Sequence, residues 1–289
     1  MIIDETYKAG KDVMVPKLGF GTWRIPDDKA KDCVKNAILL GYKRIDTAQA
    51  YENEKGVGEG IKASGVDRKK LFVASKVRAE YKTYEEAKAS IDESRKKLGL
   101  SYLDQIIIHA PQPWKEFRGE KRYFQENQEV WRALEDAYLE GKVRVIGVSN
   151  FLVDDLENII FNCRIKPMVN QIILHIGNTN SSLIDFCKKN NILVEAYSPI
   201  AHGEALKDER IVKMAEKYKV SPAKLCIRYV LQLGAIALPK SSTIEHRKDN
   251  RDVDFAISEE DRMKLKQWKD FTGYGEFGYF PVFGDKNRA

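Results

Sequence analysis

Eight short apolar runs recur along the chain, and nearly every one stops on a polar or aromatic residue able to do chemistry. In order they are LGFGTW ending at Trp23, YKRIDTA carrying Asp46, LFVASK ending at Lys76 and DQIIIH ending at His109. VRVIGVSN ending at Asn150, MVNQ ending at Gln171, ILVEAY ending at Tyr197 and AIALPKS ending at Lys240 and Ser241 follow. A stretch of helical periodicity separates almost every pair. Strand and helix alternating eight times predict an α/β fold, a closed (β/α)8 TIM barrel, with the chemistry gathered at the C-terminal ends of the strands. The 289 residues fit one such barrel, and no shift in composition divides 1–289 into two domains.

The punctuation supports that reading. Residues 1–17 read as a β-hairpin, turning at Ala9-Gly10-Lys11, that precedes the first barrel strand and plugs the bottom of the ring. Ala30, Cys33, Val34, Ala37 and Ile38 recur at helical spacing before Gly41. Thr83 and Glu86 form a capping box for a helix that Gly99 ends. Val130, Trp131, Leu134 and Tyr138 mark another helix, and Ser258 to Trp268 an extra one after the eighth strand. Three segments break the beat: 110–127, 200–210, and a tail after Trp268 rich in aromatic residues, expected as a C-terminal loop over the rim. Long loops on one rim of a rigid scaffold are where specificity resides.

The charge balance excludes several function classes. Against 49 basic residues stand 43 acidic ones, a net +6 without a dense basic stripe, so nucleic-acid binding is not expected. Cys33, Cys163, Cys187 and Cys226 form no metal motif and read as small buried hydrophobes in a reducing compartment. No metal, membrane or nucleic-acid partner is expected; MIIDETYKAG carries no signal-peptide core, so a cytoplasmic protein is anticipated.

Asp46, Tyr51, Lys76 and His109 all lie at or just past the ends of the second, third and fourth strands, which a barrel brings within reach of one another. A phenol alone is a poor acid, with a reference pKa of about 10. An adjacent ammonium stabilises the phenolate, and a carboxylate holds that ammonium in place. An imidazole on the next strand can orient a carbonyl oxygen toward the phenol, making a proton-donating pocket for an oxygen that becomes an alkoxide.

The segments GYKRIDTAQAYENE, LFVASK, DQIIIHAPQP, VRVIGVSNF, MVNQ, VEAYSPI and ALPKS resemble, in order and over almost the whole chain, the aldo-keto reductase family and its bacterial carbonyl-reductase branch. The resemblance implies a monomer that reduces an aldehyde or ketone by hydride transfer from NADPH, with NADH as an alternative donor. It implies Tyr51 as general acid, Lys76 and Asp46 as its tuning pair, and His109 as the residue that orients the carbonyl. Ser149, Asn150 and Gln171 would hold the nicotinamide carboxamide, and Tyr197 would stack on the ring. Gly21, Thr22, Trp23, Asp46, Ser198, Pro199 and Ile200 would border the cofactor, while Lys240, Ser241, Ser242, His246, Asp249 and Asn250 would grip its adenosine half. Trp23, Arg78, His109 and Trp114 would line the substrate pocket. GVGEG at 56–60 has the wrong spacing for a Rossmann fingerprint and is placed before a helix.

Four departures from the family pattern stand out. Arg78 replaces a pocket tryptophan, LHIGNT follows Gln171, His202 and Glu204 occupy a loop usually built from small residues, and His246 stands where NADPH-using members carry an arginine. Two other functions fit the residues less well. A nicotinamide-binding redox sensor with slow turnover leaves the intact tetrad unexplained, and a barrel hydrolase or isomerase using Asp46 and His109 leaves Gln171, Tyr197 and LPKS without a role.

Overall fold

The computed structural model describes residues 1–269, 271 and 273–284; of the tail, Asp270, Thr272 and 285–289 lie outside them. The chain opens on the expected hairpin, with β1 (Thr6–Ala9) antiparallel to β2 (Val13–Pro16). Gly10 turns it at φ +56°, and a Cβ there would stand 3.2 Å from Met168 Sδ, just before a barrel strand begins. The hairpin therefore seals the N-terminal mouth of the ring.

The ring is β3 (Phe20–Gly21), β4 (Arg44–Asp46), β5 (Phe72–Val77), β6 (Leu103–Ile108), β7 (Val143–Ser149), β8 (Val169–Ile173), β9 (Leu193–Tyr197) and β10 (Ile236–Leu238). Neighbours pair in parallel and in chain order. Closure comes from backbone bonds between β10 and the entry to β3: the Gly19 N–H donates to Ala237 O at 2.9 Å and the Gly21 N–H to Pro239 O at 3.0 Å.

The helices are α1 (Asp27–Leu39), α2 (Glu54–Ala63), α3 (Tyr84–Leu98), α4 (Phe124–Leu139), α5 (Val153–Asn162), α6 (Ser181–Lys189), α7 (Glu209–Lys217), α8 (Pro222–Gln232), α9 (Ile244–Arg251) and α10 (Glu259–Gln267). The capping box of α3 forms as expected: Thr83 Oγ1 accepts from the Glu86 N–H, and the Glu86 carboxylate accepts from the Thr83 N–H. Gly99 then ends the helix at φ +66°. Such a cap contributes about 1 kcal/mol.

Several expectations need correction. GVGEG lies inside α2, not before a helix: a Cβ at Gly56 would stand 2.2 Å from Asp27 O, at Gly58 2.3 Å from Leu98 O, and at Gly60 2.6 Å from Lys31 O. Glycine is there because α2 packs backbone-close against α1 and α3. The 110–127 segment holds a 3-10 turn at Trp114–Glu116, and its last residues already belong to α4. The 200–210 segment is a 3-10 run, Ala201–Lys207, broken at His202 and Gly203, and α7 follows from Glu209. Only Cys187 and Cys226 are buried; Cys33 and Cys163 are half-buried. The barrel interior is also less apolar than the runs suggest, since Arg44, Asp46, Lys76, Gln105, Gln171 and Glu195 are all buried within it.

Candidate active site

The register brings the tetrad together. Asp46 on β4 pairs with Ala74, and Lys76 is two residues further along β5, on the same face. Lys76 pairs with Ile107, and His109 is two residues beyond that. Each strand thus delivers its polar residue one step further around the same opening. Tyr51 arrives differently, at the end of a 3-10 turn, Gln49–Tyr51, that leaves β4.

Lys76 Nζ donates to Asp46 Oδ2 at 2.6 Å and to Thr47 O at 2.8 Å, and it lies 5.0 Å from the centre of the Tyr51 ring. The Tyr51 and His109 rings meet edge to face with centroids 5.6 Å apart. Burial outweighs the pull of the Lys76 ammonium and keeps the Tyr51 phenol above its ordinary pKa, so it is protonated throughout the neutral range. For Lys76 burial works against the charge, but the Asp46 carboxylate prevails and holds the ammonium. Burial, with Lys76 and Arg78 nearby, drives His109 well below the usual histidine range, leaving a neutral imidazole. Its Nδ1 is buried without a partner among the described residues. A protonated phenol, a fixed ammonium and a neutral imidazole facing one opening can protonate an oxygen and stabilise the phenolate left behind.

The next strands carry the amide groups. Asn150 Nδ2 donates to His109 O at 3.0 Å and to Ser149 Oγ at 3.1 Å, while Asn150 Oδ1 accepts from the Tyr197 hydroxyl at 2.7 Å. Ser149 Oγ donates to Gln171 O at 2.8 Å. Gln171 Nε2 crosses the lumen to Asp46 Oδ1 at 2.9 Å. Thr22 is buried beside Gly21, and its hydroxyl donates to Asp46 O at 3.1 Å. Ser198 sits at φ +52° with Oγ 3.0 Å from His202 Nε2, followed by buried Pro199 and half-buried Ile200.

At the far end of the arc, Lys240 is half-buried and makes no ion pair among the described residues; burial pulls its pKa down. Arg24, which sequence reading missed, is the other cation acting on it, and its guanidinium lies 5.1 Å from the Phe277 ring. Two cations without an ion pair among the described residues could hold the phosphates of a dinucleotide. Ser241 Oγ donates to Thr243 O at 3.2 Å, His246 and Ser242 are exposed, and Asn250 is buried. Asp249 accepts from the Ser221 hydroxyl and lies 3.5 Å from Lys224 Nζ. Arg247 is turned inward, donating to Ser241 O at 3.3 Å.

Of the pocket candidates, Trp114 meets His109 edge to face at 5.1 Å, which places the 110–127 segment directly on the tetrad. Trp23 is instead enclosed by His202 at 5.2 Å and by the tail, with Phe280 at 5.0 Å and Phe283 at 5.9 Å. The tail is anchored where Tyr274 meets His175 Nε2 at 3.0 Å. Arg78 donates to Gln49 O and Glu52 Oε1, each at 3.3 Å, at the mouth of the site. Arg44, Gln105 and Glu195 went unnoticed in the sequence; the available signal was a polar residue inside an otherwise apolar strand.

The Aldo/keto reductase family matches this chain over residues 17–270. The chain is 42% identical over 266 residues to a glyoxal reductase of Bacillus subtilis, spanning 91% of this chain and 92% of the relative. It is 40% identical over 260 residues to a 9,11-endoperoxide prostaglandin H2 reductase of Trypanosoma cruzi, spanning 88% of each. Among solved structures, an aldo/keto reductase from Brucella melitensis superposes with a TM-score of 0.84 at 36% identity, covering 91% of this chain and 98% of the other. A Bombyx mori aldo-keto reductase in complex with NADP superposes with a TM-score of 0.85 at 29% identity, covering 98% and 95%. No helix among the described residues is long and apolar enough to cross a membrane. By sequence, barrel and strand-end chemistry together, the chain belongs to the aldo/keto reductase family and is an NAD(P)H-dependent oxidoreductase of carbonyl compounds.

Proposed function

We propose that this chain reduces small, polar aldehydes and ketones with NADPH as the preferred donor, and that Tyr51 gives the proton. The observation that carries the reading is the contact set Tyr51–Lys76–Asp46–His109 at one opening. A bound nicotinamide supplies the hydride that a carbonyl carbon accepts. The Tyr51 hydroxyl gives its proton to the carbonyl oxygen as that oxygen gains negative charge. Lys76 stabilises the resulting phenolate, and Asp46 keeps Lys76 charged and in place. His109, held neutral by burial, donates a hydrogen bond that orients the carbonyl oxygen toward the phenol.

Ser149, Asn150 and Gln171 would hold the carboxamide of the cofactor, Tyr197 would lie against its ring, and Lys240 with Arg24 would take its phosphates. Gly21, Thr22 and the Ser198–Ile200 turn would line the groove between them. The half-buried Arg78 and the Trp114 wall favour a compact carbonyl bearing an anionic or strongly polar group. The glyoxal reductase relative, named for a small dicarbonyl, supports the same substrate class.

The test is Tyr51→Phe, assayed with a panel of aldehydes and keto acids and titrated with NADPH. The variant is expected to lose nearly all reduction and to keep its NADPH affinity, because one hydroxyl is removed and the ring remains. Turnover near that of the parent would overturn the assignment.

A further inference from the structure

Gln171 donates from one nitrogen to two carboxylates: to Asp46 Oδ1 at 2.9 Å, and to Glu195 Oε2, also at 2.9 Å. Both partners are acceptors only, so the amide has one tolerable orientation; turned over, its oxygen would face two carboxylates. Gln171 Oε1 accepts no hydrogen bond among the described residues, and it is left as the free end of the side chain.

Glu195 stands beside Gln171 in the register of β8 and β9, and it is itself held from below. Arg44 Nη2 lies 2.6 Å from Glu195 Oε1, and Gln105 Nε2 donates to Glu195 Oε2 at 3.0 Å. Arg44, Gln105 and Glu195 are each 0% exposed. A buried ion pair of this kind is a weak source of stability, because desolvation offsets the attraction, and apolar side chains of similar volume serve a core at least as well. Its presence under the tetrad calls for another role.

We propose that Glu195 is a positioning residue for the nicotinamide half of the cofactor: it draws the Gln171 amide nitrogen into the barrel and thereby presents Gln171 Oε1 to the cleft as a fixed acceptor. The proposal rests on the cofactor assignment of Gln171 made above. With Asp46 alone, the amide keeps one anchor and is free to swing; with Glu195 both of its N–H groups are fixed. The acceptor that meets the carboxamide N–H of the nicotinamide is then already in place before binding. Arg44 and Gln105 act through Glu195, holding its carboxylate in register with the amide.

The experiment compares two ligands on two variants by quenching of intrinsic protein fluorescence. NADPH carries the carboxamide; adenosine 2′,5′-bisphosphate carries only the adenosine half. Arg44→Met/Gln105→Leu/Glu195→Leu replaces the buried group with apolar side chains and leaves none of its three members' polar groups behind. Arg44→Met/Glu195→Gln removes the charges but keeps an acceptor oxygen at position 195. In the triple variant the Kd for NADPH is expected to rise about tenfold, the scale of one lost hydrogen bond, with the bisphosphate Kd unchanged. The double variant is expected to recover most of the NADPH affinity. Equal weakening of both ligands, or an unchanged NADPH Kd in the triple variant, overturns the proposal while leaving the cofactor reading standing. Failure of the parent protein to bind NADPH overturns the cofactor reading and the proposal with it.

Discussion

Lys76 Nζ and Asp46 Oδ2 are 2.6 Å apart with both side chains buried, and the Asp46 carboxylate is shared with Gln171 through its other oxygen. The pair therefore joins the proton-donating side of the site to its amide side. Removing either charge leaves the other uncompensated in a desolvated place. Lys76→Met and Asp46→Asn are each expected to lower folding stability by about 3–5 kcal/mol as well as to abolish reduction. Denaturant titration beside a turnover assay checks this. A variant that unfolds like the parent and only turns over more slowly would mean that the pair is hydrated in solution.

Arg78 contributes a guanidinium at the mouth of the site, bound on one side to Glu52, an exposed pair that contributes little stability. A substrate carboxylate can displace that partner and gain a two-pronged contact. Arg78→Ala is expected to reduce kcat/KM for a keto acid about tenfold relative to an uncharged aldehyde of the same size, as expected for one charge-assisted hydrogen bond. Equal losses for both substrates would place Arg78 outside substrate recognition.

Cofactor preference is expected to depend on the exposed start of α9. His246 stands where the family resemblance places an arginine, whose fixed guanidinium could pair with a 2′-phosphate. Lys240 and Arg24 still offer fixed charge, so NADPH is expected to bind more tightly than NADH, by a modest margin. His246→Arg is expected to strengthen NADPH binding by about 1 kcal/mol, discounted for exposure, and to leave NADH unchanged. Calorimetric titration of both cofactors decides it; tighter NADH binding in the parent protein would sink the preference.

Lys82 offers a pH test away from the chemistry. Its ammonium donates to Ala110 O at 3.2 Å, Pro111 O at 3.0 Å and Asn127 Oδ1 at 2.9 Å, gripping the loop that follows His109. Burial lowers its pKa to about 7, the more distant Glu80, Glu126 and Asp155 pulling the other way without prevailing. The unfolded lysine titrates near its ordinary value, so between about pH 7 and about pH 10 the unfolded chain holds more protons and stability from this group rises with pH. Lys82→Gln lacks that titration. The melting temperature of the parent minus that of the variant is thus expected to increase from about pH 7 to about pH 9.5, and a decrease would contradict the assignment.

What the sequence determined by itself was the ring and its decorated rim. Apolar runs that end on Asp46, Lys76, His109, Asn150, Gln171 and Tyr197 are local signals, because strand ends and helix periodicity depend on neighbours a few residues apart. The same holds for the α3 capping box and the tail after Trp268. Tertiary structure decided what depends on residues distant in the chain. That Gln171 reaches across the lumen to Asp46, that Arg44 and Glu195 meet beneath them, and that Asp249 turns toward Ser221 and Lys224 follow from strand stagger and helix packing. It also decided the glycines of α2, whose reason is a neighbouring helix backbone within 2.6 Å of each missing Cβ. Burial shifted the proton affinities in the same way, raising the pKa of the Tyr51 phenol and lowering that of the His109 imidazole, since desolvation is a property of the folded surroundings and not of the residue.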